Sequence, residues 1–340
     1  MKAAVIHEYK EPLRIVETDA PDKLAPDEVL IKVSACGVCH SDLHLAEADW
    51  KHLLKIAKPN LILGHEAVGT ITAVGNEVKD FDIGERVGVA WIHWACGECE
   101  VCREGNDNLC PKQQITGLTV DGGFAELMKA KASHVYHIPD ELSDTEAAPL
   151  LCAGVTVYRA IKLAEIKPNQ RVAVFGVGGL GHIAIQLVKQ CTNEVIAVDV
   201  SDDKLELALS FGASKTVNAA IEKASSEIRK LGGIDTAVVT ATAKSAYDDA
   251  LYSLRPSGTI VVVGLPSEPL TFSASALSSR EARIIASSVG SHQDMNELLE
   301  LAAKGLVRCH IETRPLEKVN EVLSELKRGA ILGRVVLEMN

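Results

Sequence analysis

One glycine triplet, taken with its surroundings, constrains this chain more than any other feature. Residues 171–176, RVAVFG, are a short apolar run. Gly176, Gly178 and Gly181 follow in a G-x-G-x-x-G pattern and lead into GLGHIAIQLVKQC, whose apolar residues recur at helical spacing. A second apolar run, EVIAVDV, carries Asp199, 23 residues beyond Gly176. Strand, glycine turn, helix, strand and acid in this order form a dinucleotide-binding unit. Gly176 permits the tight turn, Gly178 removes a Cβ that would meet a pyrophosphate, and Gly181 lets helix and strand approach. With Gly179 and Leu180 they open a helix whose unpaired N–H groups attract phosphate. Asp199 can accept hydrogen bonds from ribose hydroxyls and would repel a 2′-phosphate, which predicts NAD rather than NADP. Lys204 is within reach of the same ribose, or is a solvated helix lysine. The competing reading is a glycine turn that binds nothing, and the full context disfavours it.

The surrounding pattern sets the fold class. After RVAVFG and EVIAVDV come KTVN, IDTAVVTA, GTIVVVG and ARIIASSV, mostly separated by helix-length segments. Six nearly continuous apolar strands alternating with helices predict a doubly wound parallel sheet covered on both faces. The region before about residue 147 reads differently. DEVLIKVSAC (27–36), AVGTITAVG (67–75), RVGVA (86–90) and HVYHIP (134–139) are short β-rich runs broken by Gly, Pro, Asn and Asp, as in an irregular antiparallel domain. From about residue 290 a helix (DMNELLELAAKG), a short strand and a final strand, GRVVLEM, are too little for a core of their own. They are expected to pack back on the first region.

The 340 residues suffice for two domains, and 47% hydrophobic with 24% charged residues suits a sizeable core. A net charge of −11 disfavours nucleic acid as a partner. No apolar run reaches the roughly 18 residues needed to span a bilayer. The first residues alternate like a strand rather than resembling a signal peptide, so a cytoplasmic protein is expected. Nine cysteines, an odd number, then argue against a disulfide framework. Cys191 and Cys309 read as small buried hydrophobes.

Four of the cysteines, Cys96, Cys99, Cys102 and Cys110, are spaced C-x2-C-x2-C-x7-C. Four thiolates from one compact loop can close a tetrahedron around zinc, leaving no place for a substrate, so this metal would be structural. Two disulfides and an iron–sulfur cluster are the rivals, and compartment and spacing favour zinc. The acidic neighbours Glu98, Glu100, Glu104 and Asp107 speak against a nucleic-acid-binding knuckle. Three further motifs carry metal-like groups: CGVCHSDLH (36–44), LGHEAVG with His65 and Glu66, and LLCAGVTVY with Cys152. An open catalytic zinc site needs three protein ligands, but spacing alone cannot join residues so far apart.

In this order the motifs, with GVGGLG and the closing GRVVLEM, resemble the zinc-dependent medium-chain alcohol dehydrogenases, specifically their microbial NAD-dependent branch, nearly end to end. The resemblance implies a GroES-like, mostly-β catalytic domain (1–147 plus 290–340) interrupted by a Rossmann coenzyme domain (148–289). It makes Cys39, His65 and Cys152 the catalytic zinc ligands and leaves Cys36 a packed thiol. It places Glu66 near the metal, has Asp42 orient the ligand histidine, and gives His40 and Arg334 to the cofactor pyrophosphate. Ser41 and His44 match the proton relay, where microbial relatives often carry threonine in place of Ser41. An imidazole suits the end of such a relay. Trp50 and Trp91 match positions that narrow the substrate cleft, whereas Trp94 has no counterpart. Val263, Leu265, Ser287 and Val289 follow the last strands, where backbone groups should meet the nicotinamide.

The expected activity is reversible oxidation of short primary alcohols to aldehydes, with hydride transfer to NAD. Two zinc ions per chain and a homotetramer are expected with it. A small alcohol or aldehyde is then the partner, with no nucleic acid or membrane. The alternatives are a polyol or secondary-alcohol dehydrogenase of the same fold and a non-catalytic, zinc- and nucleotide-binding redox sensor.

Overall fold

The computed structural model describes residues 1–266 and 268–339. The chain divides into two compact units. One comprises Met1–Cys152, Ser291–Gly305 and Ile311–Asn340, and the other Ala153–Gly290 with Leu306–His310. The first boundary thus falls after Cys152 rather than near residue 147. The excursion of Leu306–His310 into the second unit has no counterpart in the expected organisation.

The first unit is built on a mixed seven-stranded sheet. Its order is Ile311–Pro315, Arg334–Glu338, Glu28–Gly37, Ala67–Val74, Arg86–Val89 and Val135–His137, with Leu127–Lys131 also paired to Glu28–Gly37. The long strand Glu28–Gly37 shows why these residues form a sheet. Val29, Ile31, Val33 and Ala35 are buried on one face, whereas Lys32 on the other is exposed. The closing strand pairs antiparallel with it, setting Val336 against Gly37 and Leu337 against Cys36. The C-terminal region therefore does pack on the first region. It also contains a helix that the sequence reading left out, Val319–Lys327, which buries Val319, Val322, Leu323 and Leu326 at i, i+3, i+4 and i+7. The helix His292–Ala303 begins at a capping box. The Ser291 hydroxyl accepts from Asp294 N–H, and the Asp294 carboxylate accepts from Ser291 N–H.

The second unit is a six-stranded, all-parallel sheet. By position in the sequence its strands run third, second, first, fourth, fifth, sixth: Lys215–Asn218, Glu194–Asp199, Arg171–Phe175, Ile234–Val239, Leu254–Val262 and Arg283–Ala286. The order reverses beside Arg171–Phe175, and the glycine turn follows the end of that strand, where open α/β sheets bind ligands. Ala173, Phe175, Ile196, Val198, Ala237 and Val239 belong to its core. Among the described residues no single helix is long and apolar enough to cross a membrane.

Two histidines of the first unit are folded in as neutral groups. Burial pushes His93 and His134 down to about 4. The His134 Nε2 accepts the Ala95 N–H at 3.1 Å, which requires an unprotonated nitrogen. Between about pH 6.5 and 4 the unfolded chain binds protons that the folded chain refuses. This part of the stability is complete above pH 6.5 and lost as pH falls, on the order of 3 kcal/mol per histidine by pH 4. Urea unfolding measured from pH 7.5 to 4.5 should show this decline. His134→Gln, which keeps an acceptor near Nε2 and cannot be protonated, should flatten it; an unchanged slope contradicts the assignment.

Candidate active site and metal centres

The strand Glu28–Gly37 delivers Cys39 to the start of the helix His40–Ala46. Asp42, in the first turn of that helix, is fully buried. Its Oδ2 accepts the Cys39 N–H at 2.9 Å, and its Oδ1 accepts the Gly64 N–H and lies 3.1 Å from His65 Nδ1. One carboxylate therefore orients both the cysteine and the histidine. Cys152 follows a short turn of buried residues, Ala148–Leu151. Its Sγ lies 4.0 Å from that of Cys39. One ligand atom each from Cys39, His65, Glu66 and Cys152 all lie within 4.8 Å of one another. A tetrahedral zinc with Zn–S bonds of about 2.3 Å sets its sulfurs roughly 3.8 Å apart. His65 Nε2 is buried without a hydrogen-bond partner. With Nδ1 directed to Asp42, this orphaned nitrogen is the ligand position that a metal would satisfy.

The electrostatics fit a cation. The hydrogen bond with Cys152 holds the Cys39 thiol well below its usual range, and the same bond pushes Cys152 well above it. A thiolate and a thiol that share a proton are poised to lose it to a metal. Burial would lower His65, but the Asp42 charge and hydrogen bond override it and raise the imidazole. Burial lifts Glu66 to about 7 against the pull of Arg334. The Arg334 guanidinium, 2% exposed, donates to both Glu66 oxygens. Gly37 makes room for this pair, because a Cβ there would lie 1.9 Å from Glu66 Oε2. Cys36 sits apart from the ligand cluster. It packs against Gly64 and Gly123, and burial raises its thiol.

The four-cysteine loop forms a second compact cluster. Cys96 Sγ lies 3.6 Å from Cys110 and 4.0 Å from Cys102, and Cys99 lies 4.0 Å from Cys110. These distances are too long for disulfides and fit the edges of a tetrahedron around one ion. Backbone N–H groups of Glu98 and Cys99 draw Cys96 down to about 6.

The glycine turn of the second unit is held from several sides. Gly176 has φ +91°, and a Cβ on Gly181 would lie 1.8 Å from the Gly176 carbonyl. Nothing lies within 4 Å of a Cβ built on Gly178, so that position faces open space. Asp199 already accepts the N–H groups of Val177, Val200 and Ser201 at 2.6, 2.8 and 3.1 Å. One lone-pair site, on Oδ2, is left to receive a ribose hydroxyl. The Thr240 hydroxyl donates to the Gly176 carbonyl at 2.7 Å.

Comparison with known proteins agrees with these features. Residues 25–140 match the family described as "Alcohol dehydrogenase GroES-like domain", and residues 179–304 match "Zinc-binding dehydrogenase". An alcohol dehydrogenase of Geobacillus stearothermophilus is 45% identical over 341 residues, covering 100% of each chain. The chain belongs to the zinc-dependent medium-chain alcohol dehydrogenases. The crystal structure of the alcohol dehydrogenase from the hyperthermophilic archaeon Aeropyrum pernix has a TM-score of 0.93 at 38% identity, covering 99% and 100% of the two chains. Acetophenone reductase from Geotrichum candidum, solved in complex with NAD, has a TM-score of 0.89 at 32% identity, covering 99% and 96%. The GroES-like and Rossmann architecture read from the sequence is therefore established for this dehydrogenase.

The structure places the remaining site residues as follows. Ser41 Oγ is 3.7 Å from Cys39 Sγ, at the edge of the metal cluster. His44 Nδ1 lies 2.8 Å from the Asp49 carboxylate, and its ring is 4.9 Å from that of Trp50. Trp91 meets His65 edge-on at 4.8 Å. His40 is exposed. Arg334, expected at the pyrophosphate, is paired with Glu66, and its Nε is buried without a partner among the described residues. It is enclosed in the first unit on Glu66, because a buried carboxylate this close to two thiols needs a charged partner. Lys204 lies in the first turn of Asp202–Ser210. Val263 is buried and Leu265 is 54% exposed. The Ser287 hydroxyl is buried without a partner. Val289 has φ +47°, strained for a β-branched residue. Asp49, Thr240 and the role of Gly37 escaped the sequence reading. Asp49 reaches His44 only because Ala48, at φ +59°, turns the chain back.

Asp42→Asn tests the orienting carboxylate. Zinc affinity at Cys39, His65 and Cys152 should fall about 10- to 100-fold, measured by chelator competition, while the four-cysteine loop keeps its ion. Equal affinities in the two proteins would refute the role.

Proposed function

We propose that the protein oxidises short primary alcohols to aldehydes, reversibly, with NAD as hydride acceptor. In this reading it holds one zinc at Cys39, His65 and Cys152 and another at Cys96, Cys99, Cys102 and Cys110. The carrying observation is the orphaned His65 Nε2 set against two buried sulfurs 4.0 Å apart. A bound zinc supplies Lewis acidity toward an alcohol oxygen, and NAD accepts the hydride.

The chain's own residues do the rest. Asp42 holds His65 through Nδ1 and so keeps Nε2 turned inward. Arg334 keeps the Glu66 charge balanced beside the ligands. In this reading the Ser41 hydroxyl passes the proton leaving the alcohol toward His44, whose Nδ1 lies 2.8 Å from the Asp49 carboxylate. The Trp50 ring, tilted against His44, and the Trp91 ring, edge-on to His65, crowd the reacting carbon and favour primary over branched or polyol substrates. In the second unit Asp199 beside the open Gly178 favours a ribose with a free 2′-hydroxyl. A relative solved with NAD supports this choice. We further propose a homotetramer. The edge strand Arg283–Ala286 leaves Ile284 40% exposed and offers unpaired backbone groups to a second copy.

The test is NAD reduction with ethanol, 2-propanol and sorbitol, with zinc measured on the same sample. Ethanol should be turned over fastest, NAD should outperform NADP, and about two zinc ions per chain should be found. Faster sorbitol turnover would replace the substrate assignment with a polyol. No NADH from any alcohol by zinc-loaded protein would favour the redox-sensor alternative. Light scattering should give the mass of four chains.

A further inference from the structure

His182 is fully buried in the first turn of the helix Gly181–Cys191, and its two ring nitrogens face partners of opposite sense. Its Nε2 lies 3.2 Å from the backbone nitrogen of His310. A backbone N–H can only donate, so Nε2 must be the unprotonated nitrogen of a neutral ring. Nδ1 then carries the hydrogen, and at 2.9 Å it donates to the Gly178 carbonyl. One proton position satisfies both contacts. The helix's own bond to that carbonyl, from His182 N–H, is stretched to 3.4 Å, so the ring is its closer donor.

The Gly178 carbonyl matters because of the peptide it belongs to. No cis peptide occurs among the described residues, so the Gly179 N–H points opposite to the Gly178 C=O. Drawing the carbonyl down onto the helix turns that N–H away from the helix, beside a Gly178 whose Cβ direction is open. The other groups of the turn are committed elsewhere: Val177 N–H to Asp199, and Gly176 C=O to Thr240. The N–H groups of Gly178, Gly179 and Leu180 carry no protein hydrogen bond among the described residues. They are the donors left for an anion.

The ring's orientation is itself secured by Leu306–His310. Gln186, one turn further along the helix, donates to the Arg308 carbonyl at 2.7 Å and accepts the Arg308 N–H at 2.9 Å. It also donates to the His182 carbonyl at 3.0 Å. This paired amide contact seats His310 where its N–H meets His182.

We propose that His182 is a positioning residue for the dinucleotide, setting the Gly178–Gly179 peptide plane so that the Gly179 N–H faces the pyrophosphate, with its ring locked by His310. The proposal rests on the NAD reading and deepens it.

The two ring nitrogens can be tested separately. In His182→Asn the side-chain amide lies near the Nδ1 position, and in His182→Gln it lies near Nε2. NADH dissociation constants are measured by fluorescence titration on the wild type, both variants and His182→Ala, together with melting temperatures and kcat at saturating NAD. Asn should keep NADH affinity within about threefold while losing the His310 bond. Gln should keep the melting temperature nearer to the wild-type value yet weaken NADH about tenfold, as should Ala, which corresponds to roughly 1.4 kcal/mol. The loss should fall on the KM for NAD and leave kcat near the wild-type value. Gln and Ala variants that bind NADH as the wild type does, or an Asn variant as weak as Gln, would overturn the positioning role while leaving the NAD reading standing. A wild type that binds neither NADH nor NADPH would overturn both.

Discussion

The Asp42 carboxylate is the contact on which the first unit's chemistry depends. It is fully buried, where an unpaired charge is among the costliest things a protein can hold. Three donors offset that cost: the N–H of Cys39, the N–H of Gly64 and the ring of His65. Each would be orphaned in its absence, at about 1–3 kcal/mol apiece. The start of a helix, a glycine turn more than twenty residues away and the tautomer of a ligand histidine are thus solved by one group. Local folding and ligand geometry here are the same interaction.

A second buried charge is tied to the sheet. Glu66 precedes the strand Ala67–Val74 and Arg334 begins the closing strand. They meet because the closing strand pairs with Glu28–Gly37, whose last residue has no side chain to obstruct Glu66. The closing strand therefore forms part of the wall of the candidate metal site and carries charge compensation as well as backbone pairing. A buried pair of this kind is costly to break from one side only.

The features legible in the sequence were those whose signal is local. The glycine triplet, the apolar strand runs and the four-cysteine spacing each follow from residues a few positions apart, and the parallel sheet formed as its alternation implied. The open metal cluster was different. Cys39, His65 and Cys152 come from three separated motifs, and only resemblance joined them before the structure brought their ligand atoms together. Arg334 shows the limit of that route: motif matching could place it in the site but could not reveal the carboxylate that holds it. Asp49 was hidden for a conformational reason, since only a left-handed residue at Ala48 returns it to His44. The helix Val319–Lys327 did carry a readable apolar stripe, compressed into nine residues.

The passage of Leu306–His310 through the second unit means that the chain changes unit four times rather than twice. The Rossmann half is consequently not a contiguous cassette. A fragment cut at Ala153 and Gly290 would keep every strand of the parallel sheet yet strip His182 and Gln186 of the backbone groups that complete them. Grafting this half onto another catalytic domain, by recombination in evolution or at the bench, has to carry that pentapeptide as a second, separate insert. The two halves thus share an inheritance that neither could exchange alone.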